Sequence, residues 1–500
     1  MERIEAEQFQ NGKNQKKKVR YKRFSAIFSS SEEIVFKNSC LIIFSGRKSL
    51  TVTDLGEGCF DIKQPYDYHW KVRSQYHNCH DNCMEVLMGN SSPRTNCTIC
   101  VPFDKAGSAY QVECPQSYRR QLDDIIKKYP ELFPSDIRNG YRMKDSYVSK
   151  KLNIRIRRIQ IAGRSYTVRP SFVMPYMTAF TDDAEKALFL TKFDVPAWGI
   201  AHVFGKNGPY WYRMASNLGR FSIVGTTVRD PAKLPLHIAA DEKHTKIRGE
   251  KCYIPTTVGN GCILGAAVAE NAGNTALLRG YGVFKREALD VDPAYSPETV
   301  NTDGWAATRN AFRHLFPTIC ILCCFLHVYI KMRDGSKKKH RDVFLKAASE
   351  LWECFQAPTR RSFSQKVRRL AEAGEKDSYP ESILNPINKL RNNIAKYSES
   401  YNHPGCHRTS NMIDRLMQGM NRHLYNTRYF HGSRETAERN IRGWALIKNF
   451  APQNPAAVKK HAGLQSPAEQ LNGRRYHDCW LQNLLISGSL GGFRGAPLNP

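Results

Sequence analysis

Acidic residues are scarce in this chain. Forty-six Asp and Glu stand against 75 Lys and Arg in 500 residues, a formal charge of +29. That imbalance argues against a cationic partner. It favours a polyanion, and nucleic acid is the usual one, held through salt-sensitive release of counterions. Long apolar runs are also missing. The longest, residues 318–330, falls well short of the roughly 20 residues that a membrane helix needs, and it carries Cys320, Cys323, Cys324 and His327. It reads as a buried strand running into a helix, so no membrane span is expected. The start, Met1-Glu2-Arg3 followed by the basic run Gln15-Lys16-Lys17-Lys18-Val19-Arg20, has no apolar core of a secretory signal. The fifteen cysteines are therefore expected as reduced thiols in a cytoplasmic, nucleoid-associated protein. No internal repeat is visible. The length allows two to four domains.

Composition divides the chain. Residues 1–115 are Cys- and Ser-rich and weakly periodic, and read as a poorly defined, partly disordered leader. Within them Cys79 and Cys83 in His77-Asn78-Cys79-His80-Asp81-Asn82-Cys83, with Cys97 and Cys100, have the makings of a zinc site. Free thiols account for the same pattern equally well. Residues 116–228 read as a nucleic-acid-binding region. An amphipathic helix is expected over 118–132 and a hairpin over 154–168, where Ile154, Ile156, Ile159 and Ile161 alternate with basic residues. A helical triplet then spans 182–220, with Asp182 and Asp183 as its first N-cap and Gly and Pro punctuating its turns. Such a triplet fits a helix-turn-helix whose third helix carries Arg213, with Arg220 just beyond it. The competing reading is an ordinary packing unit with Trp211 and Tyr212 in its core.

From Leu236 the pattern reads strand, strand, strand, helix, strand, helix, strand. The strands are expected at 236–240, 251–258, 261–268, 299–302 and 318–323, the helices at 276–288 and 305–315, and Gly259-Asn260-Gly261 marks a turn. Residues 337–400 look like an all-helical insertion within a catalytic domain of 229–470. Residues 471–500 read as a flexible C-terminal tail.

Two aspartates end short apolar strands in this region. One is Asp241, after Leu236-His237-Ile238-Ala239-Ala240. The other is Asp303, after Thr299-Val300-Asn301-Thr302. Carboxylates on neighbouring strand ends can share divalent ions, and two such ions roughly 3.5–4 Å apart drive phosphoryl transfer on DNA or RNA. Alternation turns the adjacent Glu242 to the other face of its strand. A third acid is normally needed from a helix across the site. Asp414, in Thr409-Ser410-Asn411-Met412-Ile413-Asp414-Arg415-Leu416, is the best placed, near the start of a helix capped by Thr409, Ser410 or Asn411. Glu350, Glu353, Glu399 and Glu435 are fallbacks.

Three segments together carry a resemblance. They are Ala239-Ala240-Asp241-Glu242, then Asn301-Thr302-Asp303-Gly304-Trp305 with Cys324-Phe325-Leu326-His327 after it, and Thr409 to Leu416. The chain resembles a bacterial or archaeal insertion-sequence transposase of the DDE type, in the broad grouping with Mutator-like elements, over about residues 116–492. The C-x2-H signature of Cys324 and His327 ahead of a helical insertion belongs to that grouping. The third acid there is usually glutamate, so Asp414 departs from the pattern. The resemblance implies an α/β RNase H-like catalytic core with an all-helical insertion, preceded by a helical, helix-turn-helix-like DNA-binding region. It further implies Mg2+ or Mn2+ on Asp241, Asp303 and Asp414, cleavage at terminal inverted repeats, strand transfer into target DNA, and a homodimer or larger assembly on paired DNA ends. Lys243, Arg309, Arg408 and Arg415 are candidate phosphate contacts, Cys324 and His327 a structural signature rather than a two-ligand zinc site. Three alternatives stay open: a catalytically inactive DNA-binding protein derived from a transposase, a nuclease that cuts without joining, and a zinc-stabilised nucleic-acid-binding module in the leader.

Overall fold

The computed structural model describes the backbone of five strands between residues 32 and 73, and then residues 97–103, 112–336 and 340–493. Two compact units emerge, Met1–Ser91 and Ser92–Pro500. In the first, strands β1 (Glu32–Lys37), β2 (Cys40–Ser45), β3 (Lys48–Asp54), β4 (Cys59–Lys63) and β5 (Trp70–Arg73) pair in chain order as an antiparallel meander. The sequence marks this stretch as a poorly defined, partly disordered leader, and the strands give part of it regular structure. Runs such as Glu33-Ile34-Val35-Phe36 and Leu41-Ile42-Ile43-Phe44 are rich in the β-branched and aromatic residues that favour strands.

The second unit starts before residue 115. Strand β6 (Thr98–Val101) runs parallel to β9 (Arg164–Pro170), which pairs antiparallel with β8 (Ile154–Ile161), itself paired with β7 (Arg142–Ser149). The hairpin expected over 154–168 is thus the centre of a four-stranded sheet. Helix α1 (Pro115–Lys128) lies between β6 and β7 and buries Tyr118 and Leu122. Three helices follow, α2 (Thr181–Lys192), α3 (Ala197–Phe204) and α4 (Gly208–Leu218). Helix α2 begins at Thr181 with Phe180 at its N-cap, so Asp182 and Asp183 sit in its first turn, where carboxylates complement the helix dipole. A short α5 (Ile223–Thr227) leads into the second sheet.

That sheet holds β10 (His237–Ile247), β11 (Glu250–Gly259), β12 (Cys262–Ala266), β13 (Thr299–Thr302) and β14 (Cys320–Cys323), in the order β12-β11-β10-β13-β14. The first three form an antiparallel meander; β10, β13 and β14 are parallel. Helices α6 (Asn274–Leu289) and α7 (Ala306–Leu315) make the crossovers and, with Ile238, Ala240, Leu264 and Val300, close one apolar core. The alternate residue Ala239 faces the other core, with Ile413, Met417 and Trp444.

Helices α8 (Leu326–Gly335), α9 (Arg341–Phe355), α10 (Arg360–Lys376), α11 (Glu381–Asn392) and α12 (Ile394–Ser398) form the insertion. It has its own core around Phe325, Phe344, Phe363 and Ile387. The chain then returns as α13 (Asn411–Asn426) and α14 (Arg434–Phe450). Helix α14 runs through the middle of the unit and meets α4 backbone to backbone. A Cβ on Gly219 would come within 1.9 Å of the Arg439 carbonyl oxygen, and one on Gly443 within 2.2 Å of that of Ala215, so only glycine fits at this crossing. Buried Glu287 of α6 pins α14 as well: it accepts from Arg442 (2.5 Å) and from the amides of Ile223 and Val224.

Helices α15 (Pro455–Lys460), α16 (Pro467–Asn472) and α17 (Trp480–Ser487) complete the described chain. Residues 480–492 are buried throughout. The amide of Ser222 donates to Gly491 O (2.8 Å), and the amide of Cys100 to Ser489 Oγ (3.0 Å). The flexible tail expected from the Gly-rich run Ser487 to Gly492 is therefore replaced by a core element. Its glycines serve close approach, as Gly492 O lies against Gly225. Among the described residues no helix is long and apolar enough to cross a membrane.

Candidate active site

Asp241 sits inside β10, opposite Thr256 of β11. Ala239, two residues before, packs against the α13 side of the sheet, so alternation turns Asp241 the same way. Glu242 turns to the other face, where Tyr281 Oη of α6 donates to it (2.6 Å) and Thr308 Oγ1 of α7 makes a further short hydrogen bond. Asp303 leaves the end of β13, the parallel neighbour of β10. Its Oδ1 accepts from the Trp305 amide (2.7 Å), and Gly304 takes φ +93° to allow that turn. Asp414 lies in the first turn of α13.

The segment leading to Asp414 is lashed to the end of the sheet. His237 Nε2 pairs with Pro404 O (3.2 Å), Asn301 Nδ2 donates to His407 O (2.8 Å), and the Phe325 amide donates to Arg408 O (3.1 Å). Cys324, straight after β14, is the last tie. Its Sγ donates to Ser410 Oγ (3.1 Å) and accepts from the Ser410 amide (3.1 Å), while Ser410 Oγ donates to Asp414 Oδ2 (2.6 Å). Ser410 occupies the N-cap position of α13, yet its hydroxyl orients the carboxylate instead of capping the helix.

The three aspartates are brought together. Burial pushes the Asp241 carboxyl up to about 7; Glu242, Asp303 and Asp414 add to the rise, against the Glu242 amide that donates to it (2.8 Å). Burial pushes the His327 imidazole below its usual range, with Asp303 and Asp414 pulling the other way, so His327 stands near the same carboxylates. Its Nδ1 is buried without a hydrogen-bond partner. Sequence reasoning placed Cys324 and His327 in a signature; the structure gives the thiol a positioning contact and the imidazole a place by the acids.

Three carboxylates crowded into a partly buried space repel one another unless protons or cations intervene. An all-oxygen donor set suits a hard divalent ion such as Mg2+ or Mn2+. The three do not converge within 4.8 Å; among the described residues that closeness is reached by Cys320, Glu399 and His403 instead. The aspartates therefore stand wider apart than a cage for one small ion.

Along the same two elements runs a groove of about 570 Å³. Lys243 and Lys246 line it from β10, Arg422, Tyr425 and Tyr429 from α13 and the loop after it, and Phe193 from the end of α2. Tyr425 is 74% exposed and Phe193 59%. Arg422 lies about 12 Å along the α13 axis from Asp414. Cations beside exposed aromatic rings suit a nucleic-acid strand, with phosphates on the cations and bases on the rings.

The remaining sequence candidates divide. Arg415 is exposed on α13 and Arg309 partly exposed on α7. Arg408 is spent on structure: its guanidinium lies over Phe355 (4.4 Å) and Tyr401 (4.8 Å) and donates to Tyr401 Oη (3.1 Å). Arg213 is exposed, its Nε donating to Pro209 O, while Trp211, Met214 and Leu218 on the inner side of α4 are buried. Arg220 stacks on Tyr176 (4.8 Å). Of the leader cysteines, Cys79 and Cys83 lie outside the described residues; Cys97 is exposed, whereas Cys100 is buried in the core between Ile99 and Val101. Of the fallback acids, Glu353 faces Lys366, and Glu399 belongs to the cluster with Cys320 and His403. Sequence reasoning missed Ser410 as the partner of Asp414 and the aromatic members of the groove. No protein-family model and no curated protein matches this chain.

Proposed function

We propose that the chain is a DNA transposase of the DDE type, with an RNase H-like catalytic core that cuts DNA at element ends and transfers the freed strand to a target. The observation that carries the reading is the placing of Asp241, Asp303 and Asp414 on a central strand, the end of its parallel neighbour and the first turn of a returning helix, near enough that both other acids add to the rise that burial gives Asp241. The sheet order, three meandering strands with two parallel ones added beside the first, is the order expected of such a core.

Asp241, Asp303 and Asp414 would hold divalent ions, which when bound activate the attacking oxygen and steady the leaving oxygen. The protein's part is positioning. Asp241 is fixed by its strand and its own amide contact, Asp303 by its turn, and Asp414 by Ser410 and Cys324. His327, unpartnered at Nδ1, stands at the edge of the site, where burial lowers its proton affinity. Lys243, Lys246 and the aromatic residues of the groove would guide the strand towards the acids. The helices α2 to α4, with Arg213 exposed, would bind element ends.

The test is cleavage and joining of DNA carrying the element's ends with Mg2+ or Mn2+, comparing the native chain with Asp241→Ala, Asp303→Ala and Asp414→Ala. Loss of both reactions in all three, with end binding retained, supports the reading. A native chain that binds ends and never cuts would be a silent binder. A chain that cuts and never joins would be a nuclease.

A further inference from the structure

The helical insertion rejoins the sheet beside β14, where three side chains of metal-ligand type gather, with Cys406 on the turn that follows. Cys320 opens β14, the edge strand. Glu399 begins a one-turn 3-10 helix (Glu399–Asn402) after α12, and His403 follows it. The thiol of Cys320, a carboxylate oxygen of Glu399 and a ring nitrogen of His403 all lie within 4.8 Å of one another. A tight turn then brings round Cys406. Its amide donates to His403 O (3.1 Å), with Pro404 and Gly405 at the centre and Gly405 at φ +85°. Pro then Gly at those positions is the chemistry of a type II turn. The turn carries two residues of zinc-ligand type, His403 and Cys406, three apart in sequence. The Cys406 thiol donates to Ser400 O (3.4 Å), back towards the helix that bears Glu399. Burial raises both thiols, and Glu399 and Cys406 each raise Cys320 further.

We propose that Cys320, Glu399, His403 and Cys406 bind a zinc ion that staples the return of the helical insertion to the edge of the sheet. Two thiolates, an imidazole and a carboxylate make a borderline-soft set that suits Zn2+ and not the hard ions of an all-oxygen site. Binding exchanges the two thiol protons, released to solvent, for zinc–sulfur bonds. Neighbouring charges must yield. Glu298 lies 3.6 Å from His403 Nδ1, Arg360 3.6 Å from Glu399, and Asn402 Nδ2 donates to Glu399 (2.8 Å). All three are side chains near the surface, free to turn. The staple sits just ahead of the ties from Pro404, His407 and Arg408 that hold the segment leading to Asp414, so it fixes that segment at its start. The proposal stands without the transposase reading.

The test uses the full chain, purified without chelator, and reads zinc per chain by elemental mass spectrometry. Cys320→Ser, His403→Ala and Cys406→Ser should each hold one zinc fewer than the native chain, and Cys323→Ser, a neighbour outside the cluster, the native number. A second measurement needs no variant to fold. On the native chain, alkylation of Cys320 and Cys406 by iodoacetamide, followed by mass spectrometry, should be slowed several-fold by zinc and restored by chelator. Equal labelling of both thiols with and without zinc, or unchanged zinc content in the three variants, overturns the proposal.

Discussion

Asp241→Asn tests the buried, crowded state of the Asp241 carboxyl. In the native chain without metal, the Asp241 carboxyl is lifted from 3.8 to about 7. At about 1.4 kcal/mol for each tenfold change in proton affinity, ionising it in the folded state costs about 4 kcal/mol more than in the unfolded chain. Solvent reaching the partly open site trims that to about 2–4 kcal/mol. The folded pKa is the higher one, so the neutral carboxyl's advantage is complete below about pH 4, falls as pH rises, and is gone above about pH 7. Asparagine has nothing to ionise and still accepts from the Glu242 amide. At pH 8 without metal, then, Asp241→Asn should be more stable than the native chain. Spread over the roughly 400 residues of the larger unit, the gain is a rise in Tm of about 2–5 °C. Below pH 4 the difference should vanish. Mn2+ should raise the Tm of the native chain, since an ion that binds only the folded state stabilises it, and should leave the variant nearly unmoved. Differential scanning calorimetry from pH 4 to 8, with and without Mn2+, reads all of this. A variant that melts at or below the native temperature at pH 8 and still responds to Mn2+ would refute the account of the site.

Ser410→Ala removes the hydroxyl between Cys324 and Asp414; Mn2+ affinity, measured by calorimetric titration, should weaken about 10–100-fold while the fold persists. Glu242→Ala leaves the Tyr281 and Thr308 hydroxyls without their acceptor and should cost about 1–3 kcal/mol in urea unfolding. Glu287→Gln breaks the buried pair with Arg442 and should cost about 3–5 kcal/mol, read the same way. Lys243→Ala and Lys246→Ala should each lower the slope of log binding constant against log salt by about 0.9 on duplex DNA, if each lysine meets a phosphate; an unchanged slope removes the groove from the DNA path.

Much of the second sheet was legible because its signals are local. Thr299–Thr302 matches its expected bounds, and α6 and α7 lie within two residues of theirs, since apolar periodicity and the Gly259-Asn260-Gly261 turn act over a few residues. Asp241 and Asp303 were legible because each ends a short apolar run, although β10 itself continues past Asp241 to Ile247. Asp414 was readable only as a helix-start acid; its closeness to the others depends on a return path of about a hundred residues. In the leader the β-branched runs carried a strand signal, while Cys79 and Cys83 of the possible zinc set lie outside the described residues. Cys100 is a thiol in a C-x2-C pair whose neighbours Ile99 and Val101 mark it as core. The tail misled because glycine reads as flexibility where packing needs close backbone approach. The cluster at Cys320 and His403 was invisible, its members separated by the whole insertion.

The hydrogen bond from the Cys100 amide to Ser489 Oγ joins residues 389 apart in sequence, and the same hydroxyl donates to Leu132 O (2.6 Å). On the ribosome these partners appear far apart in time. At about 5–20 residues per second, β6 emerges roughly 20–80 s before the serine that completes its surroundings. During that interval the apolar faces of the four-stranded sheet and of α5 lack the helix that will cover them. A nascent chain of this design would hold that apolar surface open for the whole interval, and one that stalled before residue 480 would expose an unfinished core.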